Sequence, residues 1–228
     1  SRGNREELSY FLLPMAEKAS VPVVVHLDHG LKAETCKRAL ELGFTSIMYD
    51  CSTDSYDENV KKVKDMAEIA HSYGATIEGE LGHVGDNEGS EEGSSHLEDP
   101  SKYYTDPKQA KDFVEKTGVD ALAVAIGTAH GAYTYTPKLD IERLEEIRNE
   151  IGTPLVLHGG SGLADNDFKN SINGGITKIN IFTDICVAGR NAMVEADGTY
   201  HEIRAKKIEA MKQTIINKIM LFGSNGKA

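Results

Sequence analysis

The chain has 228 residues, of which 39% are hydrophobic and 27% are charged, and its formal net charge is −11. Such a surface repels phosphate backbones, which excludes nucleic acid as an expected partner. No apolar stretch approaches the roughly 20 residues of a membrane span, and the polar start, SRGNREELSY, does not predict a signal peptide. The three cysteines show no CxxC spacing, which favours a reducing compartment, the cytoplasm.

The hydrophobic pattern predicts strands that alternate with helices. The predicted strands are 21–28, 46–50, 76–82, 121–127, 155–158 and 178–183. The predicted helices are 5–19, 33–42, 57–73, 107–117, 140–150, 165–173 and 200–222. This alternation is typical of a parallel sheet with right-handed crossovers.

We predict a (β/α)8 TIM barrel, the α/β architecture in which eight parallel strands close into a ring. A barrel needs eight strands, and the pattern predicts six. The first two barrel strands are therefore expected to precede Ser1, outside this numbering. Residues 1–228 are therefore interpreted as a single, N-terminally incomplete barrel domain. An open doubly wound sheet is the alternative. The barrel is favoured because the candidate active residues follow several strands instead of lining one crevice.

The segment 83–106 is rich in glycine, serine and acidic residues. It is too long for an ordinary connection between a strand and a helix. We expect it to form a mobile acidic loop at the active site.

Three histidines stand where apolar strands are predicted to end. The segments are VVVHLDHG at 23–30, ALAVAIGTAHG at 121–131 and PLVLHGGSG at 154–162. Since the carboxyl ends of barrel strands open onto one face, His29, His130 and His158 are expected to converge. Three imidazoles around one point form a zinc site with room for a substrate. The structural alternative for each is a buried, hydrogen-bonded histidine.

Two carboxylates accompany these histidines. Asp28 precedes His29, and the side chains of neighbouring strand residues are expected to diverge, one toward a metal and one toward a substrate. Glu80 lies near another strand end, where it could bind the metal or orient a ligating histidine. The structural alternatives are helix capping by Asp28 and an ion pair between Glu80 and a lysine.

Two consecutive strand ends near the C-terminus predict an anion site. A glycine-rich loop, HGGSG at 158–162, precedes a predicted helix and would present consecutive N–H groups to an anion. The next strand end supplies Asn180, Thr183 and Asp184. In barrels, phosphate often binds in the loops after the last two strands. A plain glycine turn with ordinary helix capping is the alternative.

Taken together, these motifs resemble those of a known enzyme family. They are HLDHG, EGELGHVG, LAVAIGTAHG, PLVLHGGSG, KINIFTD and LFGSNGKA. In this order they resemble the class II, metal-dependent ketose-bisphosphate aldolases, which include fructose-1,6-bisphosphate and tagatose-1,6-bisphosphate aldolases. The resemblance runs from about residue 21 to 228. It implies a barrel fold, a carbon–carbon lyase of carbohydrate metabolism or glycolysis, a sugar-phosphate substrate and a homodimer or homotetramer.

The resemblance also implies roles for individual residues. His29, His130 and His158 match zinc ligands, and Glu80 matches an alternative metal position. Asp28 matches the catalytic acid and base, and Glu88 approximates a glutamate of the family's mobile loop. The segments that bind dihydroxyacetone phosphate, and hold a monovalent cation (Na+ or K+) in the family, match Gly131, Gly159, Gly160, Ser161, Asn180, Ile181, Phe182 and Thr183.

Two departures from the family pattern concern the substrate. Phe182 replaces a small or polar residue, and Cys186 stands where the family tends to carry a cation for the distal phosphate. Loss of that cation removes a contact worth roughly 1.5–3 kcal/mol. The implied reaction joins dihydroxyacetone phosphate to an aldehyde, and an unphosphorylated aldehyde is the alternative.

Three other functions fit parts of the pattern. A metal-dependent barrel hydrolase would use a metal-bound water, and a non-catalytic homologue would bind a sugar phosphate. A Schiff-base aldolase would need a lysine at a strand end. Lys178 is the lysine considered for that role, and we predict it at the start of its strand, on the wrong face.

Overall fold

The structure is a computed structural model, and it describes residues 5–86, 100–131, 133 and 136–227. The helices are α1 Arg5–Glu17, α2 Ala33–Glu41, α3 Tyr56–Ser72, α4 Pro107–Thr117, α5 Ile141–Glu150, α6 Asp165–Gly174, α7 Thr183–Val194 and α8 Tyr200–Leu221. The strands are β1 His26–Gly30, β2 Ser46–Tyr49, β3 Thr76–Leu81, β4 Gly85–Asp86, β5 Ala121–Val124, β6 Ala129–His130, β7 Leu155–Leu157 and β8 Ile176–Ile179. A 3-10 helix covers Pro100–Tyr103.

Local capping signals set the helix ends. The side chain of Asp106 caps α4, Pro107 occupies its first turn, and Gly118 ends it in the left-handed conformation with φ 70°. Thr199 and Glu202 form a reciprocal capping box at the start of α8. Among the helices of the described residues, none is both long and apolar enough to cross a membrane.

The chain divides into two compact units, of which the first comprises residues 1–83, 104–124 and 146–155. Its strands β1, β2, β3 and β5 are neighbours in that order, and each neighbouring pair is parallel. Ile47 pairs with Ile77, and both side chains are buried, as is Leu122 of β5. Helices α2, α3 and α4 lie in the connections between these strands. Strands buried on both faces by such helices consist of apolar runs.

The second unit comprises residues 84–103, 125–145 and 156–228. In it β4 pairs with β6 in parallel, with Gly85 opposite Ala129 and Asp86 opposite His130. Helices α7 and α8 pack closely at Gly189, which contacts Met211. A Cβ added at Gly189 would lie only 2.9 Å from the Met211 Cγ. The boundary between the units falls within α5 and within β7.

Strands β1, β2, β3, β5, β7 and β8 correspond to the six strands predicted from the sequence. The α/β class and the six strands predicted from the sequence are therefore confirmed. The sequence also predicted a (β/α)8 barrel. The residues described do not show a full barrel.

Several element boundaries differ from the prediction. The strand predicted from residue 21 begins at His26, and Val23 and Val24 are exposed. Val25 donates its N–H to the Thr45 side chain, and its carbonyl accepts from the N–H groups of Thr45 and Ser46, just before the regular ladder. The last strand begins at Ile176, two residues earlier than predicted. The short β4–β6 pair was missed, because two-residue strands carry no periodic signal.

Gly30 permits the closest approach between β1 and its neighbours, and we expect its replacement to be costly. A Cβ there would overlap the Cys36 Sγ and lie 2.7 Å from the main-chain oxygen of Met48. Gly30→Ala should lower the free energy of unfolding by about 1–3 kcal/mol, because the backbone of β2 must shift. Urea denaturation measures this change.

Gly152→Ala is the matched control, because a Cβ at Gly152 meets nothing within 4 Å. We expect this variant to unfold at nearly the wild-type urea concentration. Equal stability of the two alanine variants would contradict the close packing assigned to Gly30.

Candidate metal centre and active site

His29 lies at a bulge near the end of β1. Leu27 pairs with Ile47 and Gly30 with Tyr49, so Asp28 and His29 together oppose a single residue of β2. His29 has φ 47°, in the left-handed region that few non-glycine residues adopt. Bulges and left-handed residues redirect side chains and cluster at functional sites. The local backbone therefore aims His29 differently from a regular strand residue.

Asp50 fixes the orientation of the His29 ring. His29 Nδ1 lies 2.8 Å from the Asp50 Oδ2, and Asp50 directly follows β2. The other carboxylate oxygen of Asp50 accepts the N–H of Ser52 at 3.0 Å. A carboxylate on one ring nitrogen leaves the other nitrogen to serve as a metal ligand, a pairing common at metal sites.

The same hydrogen bond decides the charges of the pair. Burial disfavours the His29 imidazolium, but the Asp50 hydrogen bond and the charges of Asp28 and Glu80 outweigh it and raise the pKa of His29. Burial opposes the Asp50 carboxylate too. The hydrogen bonds from His29 and Ser52 prevail and hold the pKa of Asp50 well below its usual range. Asp50 is therefore an anion beside the imidazole.

Glu80 joins this cluster from β3. Glu80 is 1% exposed, and its main-chain oxygen accepts a hydrogen bond from the Asn59 side chain at 3.0 Å. Ligand atoms of His29, Asp50 and Glu80 all lie within 4.8 Å of one another. Two carboxylates and an imidazole at this spacing suit a divalent cation.

Asp28 lies closer to His29 than the sequence predicted. The Asp28 Oδ1 is 4.0 Å from the His29 Nε2, and the Asp28 side chain is 55% exposed. The expected divergence of neighbouring side chains is wrong here, because the left-handed conformation of His29 breaks the strand alternation. Asp28 therefore combines access to solvent with proximity to a candidate ligand.

His26, for which the sequence predicted no ligand role, belongs to a separate polar group. Its Nδ1 lies 2.8 Å from the Ser46 Oγ, and its Nε2 lies 3.8 Å from the buried Glu78 carboxylate. The Ser46 contact is a hydrogen bond between β1 and β2, and the Glu78 carboxylate lies near the same ring on β3. These contacts give His26 a structural role.

In the second unit, His130 and His158 face each other. Their ring centroids are 5.6 Å apart and the rings meet edge to face at 85°. His158 directly follows β7 and is fully buried, whereas His130 ends the short strand β6. Two imidazoles this close suit a shared cation. His130 and His158 belong to a set of described side chains that could hold a metal ion.

Asn180 and Lys178 adjoin the His158 ring. The Asn180 Nδ2 lies 3.3 Å from the His158 Nε2, and the Lys178 Nζ donates to the Asn180 Oδ1 at 2.9 Å. Lys178 is the next-to-last residue of β8, so the prediction that it starts its strand is wrong. The strand begins two residues earlier than expected, which moves this lysine toward the carboxyl end.

The predicted anion-binding segments lie together at the start of α7. The Ser161 Oγ accepts the N–H groups of Phe182 and Asp184, each at 3.3 Å. Gly160 packs against the segment that follows β8, since a Cβ at Gly160 would lie 3.1 Å from the main-chain oxygen of Asn180. The hydroxyl of Ser161 thus occupies the positive end of the helix, where an anion is favoured.

The two departures from the family pattern lie on the same helix. Phe182, at the N-cap of α7, is 71% exposed. Cys186 is also exposed and lines a cavity of about 340 Å³ with Arg190 and Lys207. Its other lining residues are Met193, Val194 and Met211. Two cations therefore line the cavity at which Cys186 lies.

Asp50, the hydrogen-bond partner of His29, was not among the site residues predicted from the sequence. Asp50 ends the predicted strand 46–50, so its position carried the same strand-end signal as the histidines, and it was overlooked. Glu88 and most of the predicted acidic loop 83–106 lie outside the described residues.

Comparison with known proteins gives one family. Residues 2–227 match the family model of class-II fructose-bisphosphate aldolase. The chain is 42% identical over 224 residues to the uncharacterized protein YdjI of Escherichia coli K12, covering 98% of this chain and 79% of YdjI. It is 40% identical over 215 residues to a fructose-bisphosphate aldolase of Staphylococcus aureus, covering 92% and 73%.

Solved structures agree with this match. The crystal structure of the YdjI aldolase from Escherichia coli K12 superposes with a TM-score of 0.87 at 39% identity, over 100% of this chain and 79% of that chain. A fructose-bisphosphate aldolase from Campylobacter jejuni, 21% identical, shares the fold with a TM-score of 0.75 over 96% and 75%. The chain belongs to the class II fructose-bisphosphate aldolase family and is an aldolase, a lyase of carbon–carbon bonds.

Proposed function

We propose that this aldolase uses a divalent metal to cleave and form a ketose (bis)phosphate from dihydroxyacetone phosphate and an aldehyde. Fructose-1,6-bisphosphate and tagatose-1,6-bisphosphate are the substrate types that its relatives and motifs suggest. The observation that carries the proposal is the pair of facing imidazoles of His130 and His158. The oriented ring of His29 supports it.

We propose zinc as the metal, with His29, His130 and His158 as ligands and Glu80 as an additional or alternative ligand. The donor set fits, because Asp50 binds the Nδ1 of His29, and a carboxylate on one ring nitrogen typically orients the other toward a metal. Three imidazoles leave a fourth position for substrate. A bound zinc ion supplies Lewis acidity to the ketone oxygen and stabilises negative charge during carbon–carbon cleavage.

Asp28 is the proposed acid and base. In cleavage its carboxylate takes the proton of the C4 hydroxyl, which becomes the aldehyde carbonyl as the C3–C4 bond breaks. In condensation it returns that proton. Its exposure and its 4.0 Å separation from the His29 Nε2 support this role. Glu88 is proposed to exchange the C1 proton of dihydroxyacetone phosphate.

The start of α7 is the proposed site for the phosphate of dihydroxyacetone phosphate. The N–H groups of Phe182 and Asp184 already donate to an oxygen there, that of Ser161. Gly131 has φ 88° and Gly159 φ 65°, which lets the main chain approach a ligand closely. Main-chain carbonyls of these segments are proposed to hold Na+ or K+. A cytoplasmic homodimer or homotetramer is part of the same proposal.

A second candidate substrate is an unphosphorylated aldehyde, which the exposed Cys186 favours. Arg190 and Lys207 line the same cavity and could instead receive a distal phosphate. The two candidates differ only in the aldehyde half of the reaction.

The acid–base and ligand roles predict different defects. Asp28→Ala should retain bound zinc and lower kcat by about 10²–10⁴-fold, because proton transfer is lost. His130→Ala should lose both zinc and turnover, because a ligand is removed. Metal analysis of the purified variants, with a coupled assay for dihydroxyacetone phosphate, measures both.

A chelator provides the control for this comparison. It should abolish wild-type activity, and zinc should restore it. Activity that survives complete metal removal, together with borohydride trapping of dihydroxyacetone phosphate on Lys178, would replace the metal mechanism with a Schiff base.

Asp50 should set the affinity for the metal. Asp50→Asn replaces the carboxylate that contacts His29 with a neutral amide. We expect the zinc affinity to fall about 10–100-fold, because the imidazole is then oriented less firmly. Competition with a chromogenic chelator measures the change. Asp54→Asn is the control, because the exposed Asp54 pairs with Lys62 instead. Equal zinc affinity in all three proteins would contradict the orienting role of Asp50.

A panel of aldehydes tests the substrate. Each is offered with dihydroxyacetone phosphate, and the configuration of the product sugar is determined. If Arg190 binds a distal phosphate, Arg190→Ala should raise KM about tenfold or more for phosphorylated aldehydes, since a charge-assisted contact is lost. KM for unphosphorylated aldehydes should not change. A wild-type preference for unphosphorylated aldehydes would support the second candidate.

A further inference from the structure

The two histidine-bearing segments of the second unit touch through their main chains. Gly159 follows His158, and Ala129 precedes His130. A Cβ at Gly159 would overlap the carbonyl oxygen of Ala129 and lie 3.0 Å from its nitrogen. Gly159 also has φ 65°, which glycine adopts without strain. The separation of the two rings is therefore set by a direct backbone contact beside them.

A single hydroxyl group bridges this contact. The Tyr133 Oη accepts the N–H of Ala129 at 2.9 Å and donates to the carbonyl oxygen of Gly159 at 2.7 Å. Each bonded residue is the immediate neighbour of a histidine. A phenol has one proton to donate and lone pairs to accept, so it can join a donor and an acceptor that do not pair with each other.

We propose that Tyr133 is a positioning residue for the metal-binding pair His130 and His158. Its hydroxyl fixes the two segments at the distance at which both imidazoles reach one ion. The inference rests on the proposed metal-dependent function. It adds a residue that the strand-end pattern did not identify.

The aromatic ring of Tyr133 has a separate packing role. A Cβ at Gly162 would lie 3.2 Å from the Tyr133 Cδ2, so the ring lies directly on the glycine-rich loop. Tyr133→Phe keeps this packing and removes only the bridging hydroxyl. The variant should therefore fold, while the segments beside the two histidines gain freedom. Ligand geometry is sensitive to such supporting contacts.

The experiment compares zinc affinity and the cobalt spectrum of wild type and Tyr133→Phe. Zinc affinity is measured by chelator competition on the metal-free full chain. We expect it to fall about 10–100-fold in the variant. The visible absorption of the Co2+-substituted protein should change in position or intensity, because the ligand field is altered. The melting temperature of the metal-free variant should stay close to that of wild type.

Tyr56→Phe is the matched control. The Tyr56 Oη donates to the Asp112 Oδ2 at 2.5 Å in the first unit, in a contact between α3 and α4. This variant also loses a partly buried tyrosine hydrogen bond. We expect its zinc affinity and Co2+ spectrum to match those of wild type.

The outcomes distinguish the positioning role of Tyr133 from the proposed metal-dependent function. A Tyr133→Phe protein with wild-type zinc affinity and an unchanged Co2+ spectrum would overturn the positioning role and leave the metal mechanism intact. A lowered melting temperature of the metal-free variant without the spectral change would assign Tyr133 a structural role only, which also overturns it. Wild-type protein that binds neither Zn2+ nor Co2+ would overturn the proposed metal function itself.

Discussion

Parallel strand pairing is the constraint on which the candidate site depends. In the first unit β1, β2 and β3 run in one direction, so their carboxyl ends lie at one edge. His29, Asp50 and Glu80 stand at those three ends. Neighbouring strands are about 4.8 Å apart, which brings strand-end side chains within reach of a shared hydrogen bond or ion. The short His29–Asp50 contact follows from this spacing.

Local departures from regular backbone then refine the site. The bulge and the left-handed His29 on β1 bring the Asp28 carboxylate toward the imidazole instead of away from it. In the second unit, the left-handed Gly159 allows two main-chain segments to meet beside His130 and His158. The left-handed conformation of His29 costs about 1–3 kcal/mol and persists where packing enforces it. Here it coincides with the candidate ligands.

The chemistry proposed for the two halves of the substrate rests on different kinds of residue. In the proposal, the dihydroxyacetone phosphate half would be bound by main-chain N–H groups and glycines around Ser161, whose hydroxyl accepts the N–H groups of Phe182 and Asp184. The aldehyde half is proposed to depend on side chains, with Cys186 and Arg190, which line one cavity, as the candidates. Side chains change more freely than the backbone between relatives. Membership of the aldolase family therefore defines the reaction class more firmly than it defines the aldehyde.

The sequence by itself determined the α/β class, the six strands, the strand-end positions of His29, His130 and His158 and the family, because apolar runs that end in polar residues are local patterns. Only the tertiary structure decided that Asp50 orients His29, that Asp28 lies beside it, that Lys178 is near a strand end and that Tyr133 joins two distant segments. These contacts depend on register, bulges and backbone conformation. Such features arise from hydrogen bonds between residues far apart in the chain, and no local spacing encodes them.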